Sequence, residues 1–466
     1  MISQIASPQI RVTTGFELAG EKLSWLANSD EHFIYRPATP GNQIMGVTNH
    51  WHAKLVRGCG LKGERYKKET VYVQAEQSLF SSTLLIVALG YLFASQVRVE
   101  AQEPVNRKSS AKTREVLRWL YEAPNRPDKR VISGQTLHVF NTGAFYIDGV
   151  RAYWNGSLNP DRYNRIQEIH DRFGYWVGIA GAEYTNWSDN FIMSKELNPI
   201  LIEHSRKGGI VSLHFHPASP VDGKYYEPGV TADLLLNPGP VHDRWMKVLY
   251  DAAAGLRELR DNDVVVLWRP MHARNAEWWW GAPNMSRGDY SRIWAHMVDH
   301  FSNVWGLDNI LYFQSWYFAS PGVYPYDLNP SSTLYAGDSN VDIVGVDHTE
   351  DPRADYAAEY NNLLSLGKPF GISEGSDGDW SGSGNYDMRR VIAHIKQRWP
   401  RCAFFIQFDN DHVGADPDRI RWDISGNLFG AELLADPWVV NAPIFPGTAS
   451  DPNPPTKLLS PWREAD

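Results

Sequence analysis

The sequence is poor in cysteine, with only Cys59 and Cys402 among its 466 residues. Two cysteines exclude a disulfide-stapled scaffold and a Cys-rich zinc module. It also lacks an apolar stretch long enough to span a bilayer, which takes about 20 residues. The run that stands out, Leu84 to Ala94, has eleven, so stable membrane insertion is not expected. There is no long basic run, and the formal charge is −9, so nothing prepares the chain to neutralise nucleic-acid phosphates. No Walker loop occurs, the one Gly-x-Gly-x-x-Gly spacing (Gly58 to Gly63) lies upstream of the strand–helix alternation, and no cofactor is expected. Tryptophan, by contrast, is abundant: 19 residues, with aromatics at 13%. Cores are filled more readily with Leu, Ile and Val, so the surplus suggests flat faces kept for a ligand such as a sugar ring.

The first hundred residues differ from the rest. The run 84–94 has the length of a secretory apolar core, and Val99-Glu100-Ala101 offers a small-residue cleavage site. A buried helix is the alternative reading. Residues 1–76 show no sustained helical or strand period. The expectation is a start placed too far upstream, with residues 1–101 outside the mature fold and a secreted domain over 102–445. A tail rich in Pro, Asp and Ser, 446–466, follows it.

From Arg130 onward short apolar runs alternate with amphipathic stretches. Strands are expected at 130–136, 176–183, 209–216, 264–272, 309–314, 341–347, 369–374 and 403–408. Helical stretches such as 161–173, 246–260, 292–305, 354–366 and 388–399 lie between them. Parallel strands need crossover helices, so eight such units predict an α/β fold, the (β/α)₈ or TIM barrel. Most of the strands end in polar groups: Glu183, His216, Arg269 to His272, Asp347, Glu374 and Asp409-Asn410. In a barrel those ends converge on one mouth, where active sites form.

These strand ends resemble glycoside hydrolase family 26, the retaining β-mannanases and their relatives. The likeness rests on Ser133-Gly-Gln135, Gly181-Ala-Glu-Tyr184, Gly208 to His216, and Trp268-Arg-Pro-Met-His272 with Asn275 and Trp278-Trp-Trp-Gly281. Tyr335 to Asp347 and Lys368 to Glu374 extend it, so that it covers about residues 130–410. The resemblance implies hydrolysis of a β-linked polysaccharide, best β-1,4-mannan, by a monomer. β-1,3-Xylan and mixed-linkage glucan are alternatives. Glu374 takes the place of the nucleophile. His216, His272, Asn275, Trp278, Trp280, Asp347 and Asn410 take substrate-binding places.

One position departs from the pattern. The family reads Arg-Pro-x-His-Glu-x-Asn, and this chain reads Arg269-Pro-Met-His-Ala-Arg-Asn275, so Ala273 stands where the proton donor belongs. Thr349 likewise replaces a tyrosine two residues after Asp347. Three readings follow: a knocked-out hydrolase, a substitute acid (Glu277 first, then Glu183 or His272), or a glycan-binding pseudoenzyme. His214 and His216 share a strand face, but no third ligand lies at metal spacing, so no metal is expected.

Overall fold

The computed structural model describes residues 103–137, 164–186, 191–318, 334–349, 356–376, 384–409 and 422–445, with a few short strand pairs elsewhere. The chain divides into two compact units, Met1–Arg98 and Val99–Asp466. In the first, Phe16–Leu18 pairs with Glu21–Leu23 and His50–Ala53 with Val71–Gln74, both antiparallel. The apolar run 84–94, Ala101, Cys59 and the tail 446–466 lie outside the described residues.

The second unit is a closed parallel barrel. Its strands are β1 (Gly134–Thr136, led in by Val131–Ile132), β2 (Ile179–Glu183), β3 (Ile210–Phe215) and β4 (Val266–Pro270). They are followed by β5 (Ile310–Phe318), β6 (Ile343–Thr349), β7 (Phe370–Ser376) and β8 (Cys402–Gln407). Each strand pairs with the next, and β8 closes onto β1 through Gln407 and Gln135. Each of the eight strands overlaps its expected segment, and helices occupy the five expected stretches. Among the described residues no helix is long and apolar enough to cross a membrane.

The strand period of two sorts residues between two layers. Ile179, Ile210, Leu267, Phe313, Ile343 and Phe404 belong to one buried cluster, together with Val116, Leu117 and Leu120 of the helix α1 (Ala111–Glu122). Their neighbours Ala180, Val211, Val266, Trp268 and Val344 belong to the other, between strands and outer helices. Continuing the inner rows along each strand reaches Glu183, His214, Arg269, Ser315 and Asp347 at the C-terminal ends. The same alternation that fills the barrel with hydrocarbon therefore delivers polar groups to its mouth.

Among the described residues, much of the tryptophan surplus fills the core. Trp245, Trp268, Trp279, Trp280, Trp294, Trp316, Trp399 and Trp422 are all fully buried. Wide gaps between strands and helices are filled economically by a large ring. Cys402 is buried and free at the start of β8.

Candidate active site

Glu374 lies near the end of β7, where strand period alone would turn it outward, since Phe370 and Ile372 pack in the outer layer. A bulge corrects this. Val346 pairs with Ile372, but Asp347 pairs with Glu374, so β7 carries one extra residue beside β6. An extra residue re-aims the side chains beyond it, and Glu374 joins the inner row.

There its Oε1 meets three donors. Arg269 Nη2 contacts it directly, His214 Nδ1 lies at 3.1 Å and His272 Nε2 at 3.3 Å. Arg269 turns its other terminal nitrogen to Asp347 Oδ1, at 2.7 Å. Asp347 Oδ1 also accepts from Ser373 Oγ at 2.6 Å and Ser315 Oγ at 3.3 Å. Burial alone would raise the Glu374 carboxyl, but Arg269, His272 and His214 hold it well below the usual carboxylate range. Asp347 goes the other way: burial, aided by the charge on Glu374, outweighs Arg269 and pushes it up to about 7. Burial and Arg269 also lower both His214 and His272, which favours neutral rings donating one N–H each to Glu374.

His272, Asp347 and Glu374 could each offer a ligand atom within 4.8 Å of the others. The cation these carboxylates share, however, is the Arg269 guanidinium. A metal would have to displace that buried group, so the donor set does not read as a metal centre.

A second layer stands beside Glu374. His216, just after β3, directs Nδ1 onto Glu183 Oε2 of β2. The other Glu183 oxygen accepts from Thr185 N at 2.9 Å. Burial would raise Glu183, but His216 outweighs it and keeps the carboxylate ionised. The His216 ring meets His272 at 4.0 Å and Trp278 at 5.0 Å.

The three consecutive tryptophans divide their work. Trp278 is partly exposed and stacks between Tyr226, at 5.0 Å, and Trp280, at 5.2 Å. Trp280 is buried and bonds through its indole N–H to the His272 carbonyl at 2.9 Å. Trp279 bonds to the Pro217 carbonyl at 2.8 Å. Trp278 thus meets the aromatic rings of Tyr226, Trp280 and His216, and Trp280, expected against sugar, is buried behind it. Trp316, on β5, is also buried.

Other expected site residues fall in three places. Asn275 clamps Tyr317 of β5, accepting from its N–H at 2.7 Å and donating to its carbonyl at 2.8 Å. It therefore positions the β4 loop rather than facing the mouth. Asp347 is 2% exposed and anchors Arg269, another departure from the expected sugar contact. Glu277 is exposed. Asn410 lies outside the described residues, as does the Thr349 side chain.

Ala273 is 6% exposed and sits in a turn where both Met271 and Ala273 have left-handed backbone, φ 46° and 48°. Non-glycine residues held there cost about 1–2 kcal/mol each, so this turn is imposed by its surroundings. His214 was missing from the expected site, although its place two residues before His216 put both on one strand face.

The chain matches the sequence profile of glycosyl hydrolase family 26 over residues 105–441. It is 30% identical over 353 residues to mannan endo-1,4-beta-mannosidase A and B of Caldalkalibacillus mannanilyticus, covering 72% of this chain and 62% of that one. The chain thus spans less than two thirds of that relative. A Bacillus subtilis mannan endo-1,4-beta-mannosidase is 28% identical over 346 residues, covering 70% of this chain and 88% of its own length. Among solved structures, a Bacillus subtilis mannanase superposes with TM-score 0.60 at 25% identity, covering 74% of this chain and 96% of that one. With a profile match across most of the chain and a closed eight-stranded parallel barrel, this protein belongs to glycosyl hydrolase family 26.

Proposed function

We propose that this chain is a secreted endo-β-1,4-mannanase working by retaining double displacement, with Glu374 as nucleophile. The observation that carries this reading is the cradle around Glu374. A carboxylate at the end of β7, kept ionised by Arg269, His214 and His272, is prepared to attack an anomeric carbon. The partly exposed Trp278, packed against the His216 ring, adds an aromatic edge on which a sugar ring could rest. Mannanase relatives and a family-26 profile support mannan as substrate. The apolar run 84–94 followed by Ala101 supports export of a product starting near Gln102.

Ala273 leaves the usual acid/base position without a proton to give, and loss of that help typically costs about 10²–10⁴-fold. This observation favours a second reading, a barrel that binds β-glycan without cutting it. Reducing-end release from β-mannan, compared between the chain and its Ala273→Glu variant, separates the two. Turnover in the unmodified chain supports an enzyme with another proton donor. Activity gained only in the variant supports a cleft lacking its acid alone. Binding without turnover in both supports the pseudoenzyme, and neither binding nor turnover rejects mannan, leaving β-1,3-xylan and mixed-linkage glucan to be tried.

A further inference from the structure

Outside the barrel strands, the helical layer gathers three histidines that the site around Glu374 does not use. His242 lies on helix α2 (Pro240–Asp261) and His296 on α3 (Arg287–Asp299). His300 follows directly, where α3 widens into a π turn over His300–Val304, closed by the Trp305 N–H on the His300 carbonyl. Such turns are rare and recur at functional sites. The stretch His296-Met-Val-Asp-His300 sets two imidazoles at i, i+4, the spacing by which one helix face offers two ligands to a metal ion. Their ring centroids are 4.1 Å apart, and His242 stands across from α2 at 6.5 Å from His296.

The hydrogen bonds decide which ring nitrogens can serve. His242 Nδ1 meets the Leu235 carbonyl at 2.7 Å, and His300 Nδ1 the His296 carbonyl at 3.0 Å. A carbonyl only accepts, so each neutral ring carries its proton on Nδ1 and its lone pair on Nε2. Ligand histidines are commonly oriented in this way, by an N–H tied to a backbone carbonyl. All three residues are half-buried, no described residue bonds their Nε2 atoms, and each of those atoms keeps access to solvent. Nitrogen–zinc bonds of about 2.0–2.1 Å place two rings on one tetrahedral ion with centroids roughly 5 Å apart. The two measured spacings lie on either side of that value, so turning these half-buried rings brings them onto one ion. We propose that His296 and His300, completed by His242, form a binding site for a divalent transition-metal ion, Zn²⁺ foremost. Three imidazoles without a carboxylate suit zinc, nickel or copper and disfavour magnesium and calcium. The ion ties α2 to α3, two helices that their own sequence separates by a strand.

The test uses the full chain without a purification tag, stripped with EDTA and titrated calorimetrically with Zn²⁺. His296→Gln and His300→Gln should each lower zinc affinity by roughly 100-fold or more, since even the groups behind a ligand are worth about 10–100-fold. His242→Gln should weaken it by about 10–100-fold. Saturating Zn²⁺ should raise the melting temperature of the unmodified chain by roughly 5 °C and leave His296→Gln unmoved. Stripped variants that melt with the stripped parent show that the fold is intact. Co²⁺ in place of zinc should give the visible absorption of a tetrahedral site. His300→Cys should keep the ion and add a sulfur-to-cobalt charge-transfer band, which a merely structural histidine would not produce. No zinc binding by the unmodified chain overturns the proposal, as does binding that survives intact in His296→Gln and His300→Gln. Zinc affinity lost in Glu374→Gln instead would move the ion to the barrel mouth, and undiminished affinity in His242→Gln would overturn the three-histidine site.

Discussion

Asp347 of β6 lies opposite Glu374 of β7 because β7 carries one extra residue after Ile372. Arg269 joins the pair by donating to both carboxylates. Three adjacent features of the barrel, a bulge, a guanidinium and a buried aspartate, thus set the position and charge of one glutamate.

Replacing Arg269 with methionine should therefore cost both stability and activity. It leaves two buried carboxylates without their shared cation, and breaking a buried ion pair costs about 3–5 kcal/mol. Denaturant unfolding should show that loss, with a smaller difference at pH 4, where the carboxylates take up protons. Arg269→Lys should recover little, since an ammonium cannot reproduce the two-pronged contact.

Removing the Glu374 carboxylate should abolish chemistry without unfolding the barrel. In Glu374→Gln, turnover of an activated aryl mannoside should fall by on the order of 10⁴-fold or more, while mannan retention in an affinity gel persists. Unchanged aryl-mannoside turnover would remove Glu374 from the nucleophile's place.

The neighbouring tryptophans should separate cleanly. Trp278→Ala should weaken oligosaccharide binding by about 0.5–1.5 kcal/mol, the scale of a ring-stacking contact, with a smaller loss of stability than at the buried neighbour. Trp280→Ala empties a buried site and should destabilise the fold by about 3–5 kcal/mol. Isothermal titration and thermal melts of the two variants provide the check.

Acid should destabilise this protein through His204. It is buried, with Nε2 3.4 Å from the Gly178 carbonyl, and burial lowers its pKa to about 4. The unfolded chain binds that proton from about pH 6.5 downward. Stability is therefore full above pH 6.5 and falls as pH drops toward 4, by up to about 1.4 kcal/mol per pH unit from this group. Urea unfolding at several pH values should show a shallower slope in His204→Gln.

Much of the barrel was legible in the chain, because period-two apolar runs separated by helical stretches leave few alternatives to parallel strands with crossovers. The polar ends of those strands were legible for the same reason: they continue rows already committed to the inner face. Glu183, His216 and Arg269 could be placed this way. The roles within the mouth were less so. Asn275 and Asp347 looked like sugar contacts, yet their polar atoms are taken by Tyr317 and Arg269. Trp280 looked like a platform, but it lies behind Trp278.

What the sequence alone determined is the class of fold, the family likeness and the substitution at Ala273, all carried by local patterns and residue identities. What only the tertiary structure decided is which groups meet. The bulge that turns Glu374 inward depends on pairing between β6 and β7, and the contact of His216 with Glu183 depends on the register of β2 beside β3. Neither can be read along one strand, because each is set by how neighbouring strands align when the barrel closes.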